Sequence, residues 1–166
     1  TLADADIVAA LNHGIKIAKA PYIARFDADD LMPSCRLKHQ LEALDRHPEW
    51  VLCSGQVEHA RLAGAQEGPG MKAHVDWLNS LTSPEALQNG RLIDAPVAHP
   101  AVTFRRALIE RIGGYRSGAF PEDYDLWLRL YAEGHRFGTM PHLALVWRDH
   151  STRLSRVDRR YADVAF

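Results

Sequence analysis

Apolar residues at Ile7, Val8, Leu11, Ile15 and Ala18 recur every three or four positions, which predicts an amphipathic helix over residues 5–19. It feeds a short, mostly apolar run at 22–26, read as a buried strand. A second helix is expected from Ser34 to Arg46, with Leu37, Leu41 and Leu44 on one face and His47-Pro48 closing it. Val51 to Ser54 reads as a second strand. Residues 60–75 mix Gly, Pro and charge without a period and read as a loop or irregular excursion. Pro84 to Asn89 forms a short helix, Ala101 to Arg105 a strand, and Ala107 to Ile112 a helical turn stopped by Gly113-Gly114. Glu122 to Glu133 is a helix with Trp127, Leu130 and Tyr131 inward, and Leu143 to Trp147 a late strand leading to Arg148-Asp149-His150. Helix and strand alternate, so the fold class is α/β.

Chemistry concentrates where the 22–26 strand ends. Asp27, Asp29 and Asp30 fall within four residues. Like charges this close repel unless a cation or strong donors hold them. Carboxylate oxygens suit hard cations such as Mg²⁺ and Mn²⁺. The carboxyl end of a strand in an open α/β sheet is also where ligands usually bind. These residues point to a divalent metal that neutralises a phosphate. The plain alternative is a solvated acidic turn, with Pro33 at the first position of the next helix. A calcium loop fits poorly, because Met32 and Lys38 stand where an EF-hand needs Gly and Glu. An aspartate of phosphoryl transfer also follows a strand and stays as a rival.

A second constellation is Pro121-Glu122-Asp123-Tyr124-Asp125, with Pro121 marking a helix start and the acids in its first turn. Capping alone accounts for acids there, yet a carboxylate kept ionised by a helix N-terminus can also accept a proton from a sugar hydroxyl. His150, just after the late strand, can ligate a metal or bind phosphate; His99 before Pro100 is a weaker candidate. The remaining composition narrows the partners. Charged residues make up 25% and the net charge is −1, so no field favours nucleic acid. Cys35 and Cys53 are too few for a disulfide framework and wrongly spaced for zinc. No apolar run approaches a membrane span.

The order of motifs resembles family 2 glycosyltransferases of the GT-A fold. Ala10-Leu11-Asn12-His13-Gly14-Ile15, Tyr22 to Asp30, Pro33-Ser34-Cys35-Arg36-Leu37 and His99 to Arg106 carry the resemblance. Gly113-Gly114-Tyr115, Glu122 to Arg129, Trp147 to His150 and Leu154-Ser155 continue it in the same order.

That resemblance implies a mixed central sheet flanked by helices and an enzyme that moves a sugar from a nucleotide-diphosphate sugar to an acceptor hydroxyl with inversion. It implies that Asp27-Ala28-Asp29 is the family's DxD motif and contacts the nucleotide-sugar, with Asp29 ligating Mn²⁺ or Mg²⁺. Asp30 supports the turn, Glu122-Asp123 is the ED motif with Asp123 as catalytic base, and His150 is a further contact to metal or diphosphate. The implied partners are a UDP-sugar donor and a saccharide or lipid-linked acceptor, with no nucleic acid. The implied location is the cytoplasm, at the inner face of the membrane, in bacterial envelope polysaccharide synthesis. Residues 1–166 read as one catalytic-domain fragment, with 151–166 beginning a C-terminal helical extension. The family's opening strand–helix–strand unit, which grips the base, does not precede Thr1, so the expected piece is N-terminally truncated and self-associates through the edge at Tyr22 to Phe26. Two rival functions are a noncatalytic module of the same fold and an aspartate-dependent phosphotransferase, the latter disfavoured by Leu31 where Thr or Val is needed.

Overall fold

A computed structural model describes residues 6–62 and 69–149. The elements are α1 (Ile7–Ile17), β1 (Tyr22–Ala24), α2 (Arg36–Arg46), β2 (Trp50–Arg61), α3 (Pro69–Ser80) and α4 (Pro84–Gly90). A 3₁₀ turn (His99–Ala101) then leads to β3 (Thr103–Arg105), α5 (Arg106–Arg111), α6 (Glu122–Ala132) and β4 (Arg136–Asp149). The sheet runs in the order β1-β3-β2-β4. β3 is antiparallel to both β1 and β2, whereas β2 and β4 are parallel, so the sheet is mixed.

Two apolar clusters hold helices to the sheet. Val8 and Ile15 of α1, Leu87 of α4, Ile109 of α5 and Trp127 and Leu130 of α6 join Leu52, Phe104 and Phe137 in one. Ala43 and Leu44 of α2 and Val75 and Leu78 of α3 join Cys53, Val57 and Leu145 in the other. α5 ends where expected, because Gly113 and Gly114 take φ of 86° and 68°, a region open to glycine.

Four expectations change. β2 and β4 are far longer than the runs at Val51–Ser54 and Leu143–Trp147, since each completes the other's backbone hydrogen bonds from Trp50 to Arg61. β4 passes through Pro141, a strand breaker, because the register jumps there: Gly55 faces Met140 and Gln56 faces Leu143. Pro141 and His142 are thus bulged out of the ladder. Of the loop expected over 60–75, residues 60–61 are the end of β2 and 69–75 the start of α3, whose Pro69 sits at the helix's first position, where its missing N–H costs nothing, while 63–68 lie outside the described residues. The third change concerns α2, whose buried face is Arg36, Gln40, Ala43 and Leu44, while Leu37 is 41% exposed. Finally, the strand expected at 101–105 begins only at Thr103, and that at 22–26 ends at Ala24.

Arg36 explains the shifted face of α2, on which Leu44 is buried as expected and Leu37 is not. Its guanidinium is fully buried and donates to Gln40 Oε1 (2.9 Å) and to the carbonyls of Pro100 (2.7 Å), Arg25 (2.9 Å) and Val102 (3.0 Å). Gln40 Nε2 in turn donates to the carbonyls of Cys53 and Ala101. These bonds supply side-chain donors to backbone carbonyls on and around the short strands. Burial and the nearby Arg25 charge lower the pKa of Arg36 to about 10, so it stays charged at neutral pH.

Candidate functional site

β1 delivers the chain into the acidic turn, and β4 clamps it. Arg25 N–H donates to the Val102 carbonyl, and Leu31 and Val146 exchange two backbone bonds. Asp30 is 4% exposed, and its Oδ1 accepts the Arg148 N–H at 2.9 Å. Arg148 Nε donates to the Asp29 carbonyl. Held this way, Asp27, Asp29 and Asp30 each offer a carboxylate oxygen within 4.8 Å of the others, the one such cluster of potential ligands among the described residues. The donors are hard oxygens, which fit Mn²⁺ or Mg²⁺. Ala28 is exposed at the tip of the turn.

Arg25 was not foreseen as part of this site. It is a charged residue interrupting an apolar strand run, which was the available signal. Its Nη1 lies 2.5 Å from Asp27 Oδ2, with the arginine side chain only 9% exposed. Its charge also reaches Asp123, His99 and Tyr115. That field links the acidic turn to the second acidic motif.

At the start of α6, Pro121 occupies the cap position, Glu122 is buried, and Asp123 is half-buried with its Oδ1 accepting the Tyr124 N–H at 2.9 Å. Capping and chemistry coexist in this residue. Burial, then the Glu122 charge, push the Asp123 carboxyl up to about 7, against the opposing pull of its backbone hydrogen bonds and Arg25. A carboxyl poised there can exchange protons near neutrality.

Asp123 lines a pocket of about 300 Å³ together with His99, Pro121, Tyr124, Trp147, His74 and Asp94. His99 Nε2 and the Tyr115 hydroxyl are 2.7 Å apart. Burial, reinforced by Arg25, drives the His99 pKa well below its ordinary value, so its imidazole is neutral. Tyr115 faces a second cleft of about 350 Å³, lined also by Arg25 and Asp27. Thus the 99–115 pair joins the lining of the Asp123 pocket to that of the cleft at Asp27. Trp147, lining the first, neighbours the Val146 and Arg148 backbone that clamps the acidic turn. His74 carried no sequence signal because its part of α3 read as loop, and Asp94 stands outside any motif, in the loop after α4. His150 lies outside the described residues, as does the extension expected over 151–166.

Comparison with known proteins defines the class. Residues 5–113 match the profile described as Glycosyl transferase family 2, and the chain belongs to that family. It is 31% identical over 126 residues to an Escherichia coli UDP-Gal:alpha-D-GlcNAc-diphosphoundecaprenol beta-1,3-galactosyltransferase, covering 76% of this chain and 43% of that protein. It is 27% identical over 147 residues to the amylovoran biosynthesis glycosyltransferase AmsE of Erwinia amylovora, covering 89% of this chain and 52% of the relative. Its fold is similar to the mannosyltransferase PcManGT from Pyrobaculum calidifontis, solved with GDP-Man and Mn²⁺. The TM-score is 0.56 at 19% identity, over 86% of this chain and 36% of that one. The expected GT-A architecture is therefore present. The chain spans about half the length of the curated relatives it matches.

Proposed function

We propose that the full-length protein transfers a sugar from a nucleotide-diphosphate sugar to an acceptor hydroxyl, inverting the anomeric carbon in a single displacement. The observation that carries this reading is Asp123, a pocket-wall carboxylate with its proton affinity raised to about 7, electrostatically coupled through Arg25 to the acidic turn. As the acceptor oxygen bonds to C1 and the C1–diphosphate bond breaks, Asp123 takes the hydroxyl proton. Glu122 raises its basicity by proximity. Asp29, with Asp27, would hold Mn²⁺ or Mg²⁺, and a cation bound there supplies positive charge opposite the departing diphosphate. Asp30 keeps the turn docked on β4, and Ala28, small and exposed, leaves the backbone open to the nucleotide.

A UDP-sugar is the first donor to test, since the Escherichia coli relative is named for UDP-Gal. The names of the two bacterial relatives support a saccharide or lipid-linked acceptor in envelope polysaccharide synthesis. Such an acceptor would be met in the cytoplasm at the inner membrane face. No helix among the described residues is long and apolar enough to cross a membrane. Calorimetry of the full-length protein with UDP-sugars and Mn²⁺ tests the core of this reading. Asp29→Ala should abolish metal-dependent donor binding, and unchanged metal dependence would remove the acidic turn from the site.

A further inference from the structure

The Asp123 pocket has a wall that the reaction scheme leaves unused. α3 brings Met71 and His74, the loop after α4 brings Asp94, and Trp147 closes from β4. His74 Nδ1 lies 3.6 Å from Asp94 Oδ2, and its ring centre is 6.2 Å from that of Trp147 at an interplanar angle of 58°. Asp94 Oδ1 accepts the Ala95 N–H at 2.7 Å, which orients the carboxylate. The Tyr124 hydroxyl donates to the Arg91 carbonyl at 2.6 Å. The helical turn carrying Asp123 therefore anchors the loop carrying Asp94, and the two carboxylates keep a set relation across the pocket.

At about 300 Å³ the space lies at the small end of ligand pockets, suited to a sugar ring rather than a nucleotide. A pyranose presents hydroxyls at its edge and an apolar C–H face. The His74–Asp94 pair supplies hydrogen-bonding groups for the first, and Trp147 an aromatic surface for the second. Among the described lining residues Asp94 and Asp123 are acidic and none is Lys or Arg, the Arg25 charge reaching Asp123 from outside the lining. Burial lowers the His74 pKa, with Asp94 opposing, so the imidazole offers no strong counter-charge. An anionic sugar entering here would meet two carboxylates.

We propose that His74, Asp94 and Trp147 form the subsite for the acceptor's terminal sugar, and that this subsite takes a neutral pyranose and rejects a uronic acid. The proposal rests on the reading of Asp123 as the base. The test uses the full-length protein, the donor identified by a hydrolysis screen, and nitrophenyl glycosides as acceptors. The neutral set is glucose, galactose, mannose, N-acetylglucosamine and N-acetylgalactosamine; the acidic set is glucuronic and galacturonic acid. Transfer is expected to a neutral member, with Asp94→Asn and His74→Ala each raising its KM on the order of tenfold, the strength of a typical buried polar contact. The loss should fall on acceptor KM rather than on donor affinity measured by calorimetry, and Asp94→Asn should narrow the gap to the uronic acids. The proposal is overturned if acceptor KM is unmoved in both variants, if donor affinity falls instead, if a uronic acid is preferred, or if no glycoside is accepted. Failure of the underlying reaction scheme shows separately, as the metal-dependence result for Asp29→Ala.

Discussion

Replacing Arg36 with Met should unfold the strand end that carries the acidic turn more readily than any surface change. The side chain is fully buried and makes four hydrogen bonds. The loss falls unevenly. The Val102 carbonyl keeps the Arg25 N–H as a donor, and Gln40 Oε1 keeps the Thr103 hydroxyl at 2.6 Å. The carbonyls of Pro100 and Arg25 lose the guanidinium. An unsatisfied buried polar group costs about 1–3 kcal/mol, and two carbonyls lose their donor here. We expect about 3–5 kcal/mol, a large share of the roughly 5–15 kcal/mol that holds a domain together. For a chain of this size that corresponds to a fall in Tm of about 10 °C. Thermal unfolding followed by circular dichroism measures it. Arg36→Lys should fall nearly as far, because one ammonium cannot reproduce the spread of the guanidinium fork. A loss below about 1 kcal/mol for Arg36→Met would refute the view that these carbonyls depend on it.

Asp123→Asn in the full-length protein should leave donor affinity nearly intact and cut transfer by a factor on the order of 10² or more, as expected for loss of a general base; near-normal turnover would return the residue to capping alone. Because the ionised carboxylate is the active form and its pKa is raised to about 7, transfer should rise with pH through about 7. Folding runs the other way: between the ordinary 3.8 and about 7 the folded state keeps a proton the unfolded chain has released, so this group subtracts stability as pH climbs through that window. Arg25→Gln removes a cation that favours ionised Asp123, so the acid limb of the pH–rate profile should move to higher pH, and an unmoved limb would separate Arg25 from the base. Gly138→Ala would place a Cβ 1.8 Å from the Trp50 ring, and the overpacking should cost about 1–3 kcal/mol in thermal unfolding.

The features legible in the chain were those written in neighbouring residues. α1 and α6 follow a helical period within a dozen positions, the glycine stop after α5 is local, and Asp27, Asp29 and Asp30 are adjacent whatever the rest of the fold does. What stayed hidden was set by partners distant in sequence. The lengths of β2 and β4 depend on each strand supplying the other's hydrogen bonds across more than eighty residues, which lets β4 absorb Pro141 in a bulge. The face of α2 was decided by side-chain donors reaching the carbonyls of Pro100, Arg25 and Ala101, an interaction strong enough to bury Arg36 and Gln40 and leave Leu37 in the open. Asp123 could be named from its motif, but its raised pKa came only with the burial and the Glu122 charge that the folded helix start imposes. The pocket around it joins α3, the loop after α4, α6 and β4, elements that share no local pattern. Motifs could be read because they are contiguous, whereas pocket shape, burial and proton affinity arise from through-space packing that no window of the chain contains.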